Sequence, residues 1–162
     1  MEINGWQLFQ HPLFKLQYDK LLAEAENIRV SKPESFATHN TIKVLARITK
    51  LITEEIPADP SHDRFNQGNT LGTEYRHWKR AKFGRYRLFF RYDARAKVHG
   101  KGKAIIYAWV NDEKTLRKEG DKNDPYALFA RRLAQGKPPD LFDELLKEAR
   151  EFDADLKKVD RD

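Results

Sequence analysis

The chain has no cysteine. That excludes disulfide staples, thiolate catalysis and any zinc site that draws on sulfur. No apolar run approaches the roughly 20 residues that a membrane span requires. The opening Met1-Glu2-Ile3-Asn4-Gly5-Trp6 has neither the basic nor the apolar region of a secretory signal. The expected location is therefore the cytoplasm, away from any membrane. The five histidines, at 11, 39, 62, 77 and 99, never recur at i, i+3 or i+4 and have no partner carboxylates at ligand spacing. No metal site and no cofactor are expected. Repeats and low-complexity tracts are missing as well.

Acid is missing from one stretch in particular. Trp78 to Tyr92 reads W-K-R-A-K-F-G-R-Y-R-L-F-F-R-Y, with six basic residues, six aromatic ones and no Asp or Glu. The imbalance extends beyond it: residues 76–118 carry 14 Lys or Arg against 3 acids, a local +11, while the rest of the chain nets −5. A positive field concentrated on an otherwise acidic body marks a polyanion site. Rings interleaved with cations suit the flat bases and the phosphates of RNA.

At 162 residues, 40% hydrophobic and 35% charged, with a mean hydropathy of −0.82, the chain is expected to form one domain, residues 1–162, with a solvated surface. Asn4–Phe9 suits a short strand or an extended arm. Pro12 opens a helix whose apolar positions, Phe14, Tyr18, Leu21, Leu22, Ala25 and Ile28, recur at helical spacing to about Arg29. Ser31-Lys32-Pro33-Glu34 has the pattern of a capping box. It predicts a second helix with the stripe Ile42, Leu45, Ile48, Leu51, Ile52 and Ile56, stopped by Pro57. Residues 57–74 are rich in Pro, Asn, Asp and Gly without a period and read as a long, flexible loop. Within it, His62 and Asp63 are read as solvated loop residues.

Three strand signals follow, at about Tyr75–Phe83, Tyr86–Asp93 and Lys103–Val110. Asp124-Pro125 predicts a capped third helix ending at Gly136. Pro138-Pro139-Asp140 predicts the start of a last helix carrying Leu141 to Leu156, with a frayed terminus over about 158–162. The order of elements implies an α+β fold, a small antiparallel sheet with helices on one face.

Phe83-Gly84-Arg85-Tyr86 reads as a two-residue type II′ hairpin, because glycine stands where positive φ is demanded. That sets a register in which Lys82 opposes Arg87, Arg80 opposes Phe89 and Trp78 opposes Arg91. Alternation then puts Ala81, Phe83, Tyr86, Leu88 and Phe90 on a core face. Trp78, Arg80, Lys82, Arg87, Phe89 and Arg91 share the other. Opposed cations such as Lys82 and Arg87 cost a sheet about 0.2–1 kcal/mol per pair, so the face is expected to serve phosphate binding. The bland reading of the same face is a solvated strand with Arg91 stacked on Trp78.

RNA carries its own nucleophile. Cleavage through the 2′-hydroxyl needs a group to take that proton, cations for the charge that builds on phosphate, and an acid for the leaving 5′-oxygen. Arginine suits the second task, since its planar fork meets two oxygens at once.

Five segments carry a family resemblance: N-G-W at 4–6, W-x-R-x-K-F at 78–83, G-R-Y-R-L-F-F-R-Y at 84–92, W-x-N-D-E-x-T-L-R at 109–117 and G-K-P-P at 136–139. Together they resemble the YhaV family of toxins, of the RelE/ParE-type superfamily. The resemblance implies a RelE-like fold, with an N-terminal helical pair and C-terminal helices packed on a small antiparallel sheet. It implies a metal-independent endoribonuclease of a type II toxin–antitoxin system that cleaves mRNA on the ribosome and so inhibits translation. It also implies a PrlF-like antitoxin with an AbrB-type domain. Carried over by motif, Arg87 becomes the phosphate clamp, with Arg80, Lys82 and Arg117 as further catalytic residues; Tyr126 joins them by position, where RelE toxins place a tyrosine at the start of the closing helix. Trp78, Arg85 and Arg91 become RNA contacts.

Asp112 and Glu113 are candidates for a general base or for turn-capping acids, and His77 for a proton shuttle or a plain surface imidazole. Two other functions use the same features: a non-catalytic RNA- or ribosome-binding module, and a gyrase poison of the ParE kind.

Overall fold

In the computed structural model, which describes residues 1–95 and 102–152, the chain opens with two strands, β1 (Glu2–Ile3) and β2 (Trp6–Gln10). Helix α1 (Pro12–Ser31) follows, capped by His11, whose Nδ1 accepts from the Leu13 amide at 3.1 Å. Pro33 ends α1, because a residue before proline avoids helical backbone. The expected capping box does not form. Ser31 is the last residue of α1 and donates its hydroxyl to the Asn27 carbonyl at 2.7 Å. The following Pro33–Thr38 is a 3₁₀ segment that no side chain caps.

Helix α2 (Asn40–Lys50) then starts on His39, whose Nδ1 accepts from Thr41 N. It runs on through a π-helical turn, Leu51–Glu55, into a short α3 (Ile56–Ala58). His62 caps a 3₁₀ turn at Asp63–Phe65 in the same manner. Three of the five histidines thus serve as helix caps, a structural duty for scattered imidazoles. The 57–74 loop is pinned by buried Phe65, Gln67 and Leu71. Gln67 donates to the Tyr75 carbonyl and accepts from the amide of Leu71.

Strands β3 (Lys79–Phe83), β4 (Tyr86–Asp93) and β5 (Ala104–Val110) come next, then α4 (Pro125–Ala134), α5 (Phe142–Glu148) and β6 (Arg150–Glu151). The sheet runs β1-β2-β5-β4-β3, with β6 paired to the same edge of β2 as β1. The α+β class is as expected, with two differences. The β2–β5 pair is parallel, since the long crossover through α1 to β4 returns the chain in the same direction. In addition, helices cover both faces. α1 and α2 pack on one side around Phe14, Tyr18, Ile48, Ile52, Leu88 and Phe90. α4 and α5 close the other around Trp78, Phe89, Trp109, Phe129 and Leu145. This explains why β5, A-I-I-Y-A-W-V, is buried at every position.

The last helix is shorter than expected. It ends at Glu148, and the chain turns back to place β6 against β2 and Phe152 in the first core. Asp140 does not cap it, for α5 has no side-chain cap. Leu156 and the expected frayed end at 158–162 lie outside the described residues.

Candidate active site

The hairpin register is the expected one: Phe83 opposes Tyr86, Lys82 opposes Arg87, Ala81 opposes Leu88 and Arg80 opposes Phe89. Gly84 has φ +57°, while Arg85 is not among the described residues with positive φ. That combination matches the II′ turn, which needs positive φ only at its first central residue.

The two faces differ from the expectation in what covers them. Trp78 and Phe89 do share a side with the cations, but α4 lies over that side. Both rings are fully buried. Phe89 stacks on Phe129 at 4.4 Å, and Trp78 meets Phe129 edge-on at 5.0 Å. Trp78 Nε1 donates to Asp140 Oδ1 at 2.8 Å. A ring with no exposed surface cannot stack on a base, so Trp78 acts as a core residue. Arg91 joins it there: its guanidinium sits 5.4 Å over the Trp78 ring and 5.6 Å over Phe142, and it donates to the Asp140 carbonyl. Burial pushes the Arg91 pKa down. His77 also binds Asp140 Oδ1, at 2.6 Å. Asp140 therefore ties together a residue trio at the covered end of the hairpin.

At the open end the remaining predicted residues converge on Tyr126. Its ring, wedged edge-on against Phe89 at 5.6 Å, is buried in the first turn of α4. Its hydroxyl accepts Nε–H from Arg80 and from Arg87, both at 2.9 Å. The guanidinium of Arg117 lies 4.8 Å over the ring, and that of Arg87 lies 5.7 Å over it. Three arginines from β3, β4 and the β5–α4 loop thus surround one phenol. Arg87 Nη1 is further fixed by the carbonyls of Gly84 and Tyr86, and Arg80 Nη1 by the carbonyl of Arg64. Lys82 stands exposed beside Arg87 on the same face. Arg85 is exposed at the turn, where its Nε–H binds the Arg117 carbonyl at 3.0 Å and its own carbonyl accepts the Arg117 amide at 2.9 Å.

Two buried residues hold this cluster through contacts that the sequence pattern does not reveal. Asp124, besides capping α4 through the Tyr126 amide, takes Nη1 of Arg117 on Oδ1 at 2.8 Å. One carboxylate so positions two site residues, and its hydrogen bond raises the Arg117 pKa further. Asn111 accepts the Arg87 amide at 2.7 Å and donates to the carbonyls of Thr115 and Arg85. Asp112, by contrast, caps its own turn, accepting from Lys114 N and Thr115 Oγ1. Among the described residues, no three His, Asp or Glu side chains converge at metal-ligand geometry.

A family model described as a toxin with endonuclease activity, of a toxin–antitoxin system, matches residues 8–150. The chain belongs to the YhaV toxin family. It is 42% identical over 152 residues to the Ribonuclease toxin YhaV of Escherichia coli strain K12, a match covering 92% of this chain and 95% of the relative. The Toxin YhaV of Escherichia coli O157:H7 matches to the same extent. No solved structure matches. As a YhaV-family toxin the chain is one half of a toxin–antitoxin pair, and its endonuclease activity needs a phosphate-binding centre. The Tyr126 cluster is the candidate. Among the described residues no helix is long and apolar enough to cross a membrane.

Proposed function

We propose that this toxin is an endoribonuclease that cleaves mRNA by attack of the 2′-hydroxyl on the adjacent phosphate, with no metal ion taking part. The observation that carries the reading is the Tyr126 hydroxyl held by the Nε–H groups of Arg80 and Arg87. A phenol oxygen has two acceptor sites and one hydrogen. Guanidinium hydrogens fill both acceptor sites, so the hydrogen is what Tyr126 offers outward. As the O2′–P bond forms, the 2′-hydroxyl gives up its proton to water, and as the P–O5′ bond breaks, Tyr126 gives its own proton to the departing 5′-oxygen. The same two guanidinium groups then stabilise the phenolate it leaves.

The charge that builds on the phosphoryl oxygens falls to the groups the cluster has left over. Nη2 of Arg80, Nη2 of Arg87, and Nε and Nη2 of Arg117 make no hydrogen bond to a described residue. Lys82 adds an exposed ammonium. A preorganised donor of this kind is worth about 10²–10³ in rate. Arg85, at the tip of the hairpin, extends the cationic surface along the RNA strand.

The substrate is mRNA on the ribosome, in the cytoplasm, and the silencing partner is a PrlF-like antitoxin with an AbrB-type domain. The YhaV family membership and the local +11 charge support this. The chemistry is tested by digesting RNA with the purified protein in EDTA. Products with 2′,3′-cyclic phosphate and 5′-hydroxyl ends are expected. Intact RNA bound in a salt-sensitive manner would instead make this a non-catalytic binding module. Growth arrest with DNA breakage and undamaged transcripts would make it a gyrase poison. Growth arrest relieved by co-expressing a PrlF-like protein tests the partner.

A further inference from the structure

A cleft of about 480 Å³ opens beside Tyr126 and Arg117, within the roughly 300–1,000 Å³ over which proteins hold small ligands. Its other walls include Thr70 from the 57–74 loop, Glu119 and Lys122 from the β5–α4 loop, and Ala127 on α4. Most of its acids are already committed. Asp124 holds Arg117 and the amides of Lys118 and Tyr126, and Asp121 accepts from the Asn123 amide at 2.7 Å. Glu119 is different: it is exposed and makes no hydrogen bond to a described residue. Thr70 gives its hydroxyl hydrogen to Gln67 Oε1 at 2.6 Å, so its lone pairs are what remain for the cleft. The cleft therefore offers acceptors, the Glu119 carboxylate and Thr70 Oγ1, next to donors, the Lys122 ammonium and the Arg117 guanidinium.

Phosphate contacts position a nucleic acid without reading it, whereas base edges carry the sequence. In single-stranded RNA the Watson–Crick edge is free to be read. Guanine alone presents two adjacent donors there, N1–H and N2–H₂, beside a carbonyl acceptor, O6. A carboxylate accepts both hydrogens as a fork, and a cation takes the carbonyl. Cytosine and adenine show a single donor beside an acceptor, and uracil one donor between two carbonyls.

We infer that this cleft is a base subsite selecting guanine beside the scissile phosphate, with Glu119 taking N1–H and N2–H₂ and Lys122 taking O6. The inference rests on the Arg80, Arg87, Arg117 and Tyr126 cluster being the active site. It adds a specificity-determining pocket on the side of that cluster facing the β5–α4 loop.

Binding of guanosine 3′-monophosphate and adenosine 3′-monophosphate to the full chain, followed by calorimetry or NMR titration, tests the subsite without relying on turnover. The wild type is expected to favour the guanosine nucleotide about tenfold, the scale of one good bidentate contact. Glu119→Gln is expected to bring the two within about twofold. Arg87→Ala should weaken both nucleotides together, through the phosphate. Equal affinities in the wild type, or a guanosine preference that survives Glu119→Gln, overturn the subsite and leave the active site standing. If Arg87→Ala binds both nucleotides as well as the wild type does, the active-site reading falls first. Mapping cleavage ends on a mixed-sequence RNA gives the second readout: wild-type cuts enriched beside guanine, and a flattened profile in Glu119→Gln. A wild-type profile indifferent to guanine counts against the subsite.

Discussion

Arg80 and Arg87, on neighbouring strands and not directly opposed in the register, meet on one atom: each donates Nε–H at 2.9 Å to the Tyr126 hydroxyl. Two like charges converge there because the phenol oxygen and the carbonyls of Arg64, Gly84 and Tyr86 absorb their hydrogens. Tyr126→Phe isolates the role of that oxygen. The ring remains, with its edge against Phe89 and the Arg117 guanidinium above it, so the fold should persist. Loss of the general acid is expected to lower kcat about 10²–10⁴-fold with KM little changed, measured on single-stranded RNA. Activity within a few-fold of wild type would remove Tyr126 from the chemistry.

Arg87 spends Nε on Tyr126 and Nη1 on two carbonyls, so its reach toward phosphate depends on a planar fork. Lysine keeps the charge but cannot make those bonds together. Arg87→Lys is expected to be nearly as inactive as Arg87→Ala, both below wild type by at least about 10²-fold. Growth arrest on expression gives the cellular readout, and retained antitoxin binding confirms that the variants fold.

How much of this was legible in the sequence depends on which signal is asked. Gly84 between two alternating runs implied the II′ turn, and with it the whole register, because period-2 geometry leaves no freedom once the turn is set. Asp124-Pro125 announced the start of α4 just as directly. Alternation told correctly which residues share a side, but not what lies over that side. Alternation alone therefore groups Trp78 and Phe89 with the cations as a binding face, whereas Phe129 of α4 buries both. The capping-box pattern at Ser31 lost to the steric demand of Pro33 on its predecessor. β6 is two residues long and has no sequence signature, since its pairing depends on where β2 lies. Asp124 looked like a cap alone because its second partner, Arg117, is met only in the folded chain.

Asp124→Asn separates those two duties. Asparagine serves almost as well as aspartate at an N-cap, so α4 should keep its start. The charged bond to Arg117 is lost, at a cost of about 1.5–3 kcal/mol, the range for hydrogen bonds to charged groups. The expected result is a modest fall in Tm with helix content kept, together with a rise in KM for RNA as the Arg117 guanidinium leaves the Tyr126 ring. A fall in Tm with unchanged kinetics would make Asp124 a structural residue only.

A pH prediction follows from Glu55. Hydrogen bonds from Arg47, and secondarily from Arg64, hold its carboxyl below the ordinary carboxylate range. Since the folded value is depressed, the stabilisation is present above the ordinary range of about 4.3 and is lost as pH falls through the folded value. The arginines are partly solvated, which limits the effect to about 0.5–1 kcal/mol. Glu55→Gln should therefore unfold earlier in urea at pH 7, by that amount, and the difference from the wild type should shrink as the pH is lowered below the ordinary carboxylate range. Because the Arg64 carbonyl braces Arg80, the variant is also expected to show a small loss of activity at neutral pH.

Trp78 offers the clearest contrast between a base-stacking residue and a core residue. A ring that stacks on RNA loses about 1–3 kcal/mol of binding when replaced, whereas a buried one loses stability instead. Trp78 is fully buried against Phe129 with its indole N–H on Asp140. Trp78→Ala is expected to lower stability by about 3–5 kcal/mol. Trp78→Phe should cost less while leaving RNA affinity at the wild-type value in filter binding. The Asp140 carboxylate would lose one of its two donors in that variant and keep His77, so α5 should stay docked. A wild-type unfolding midpoint combined with weakened RNA binding would return Trp78 to the RNA-contacting face.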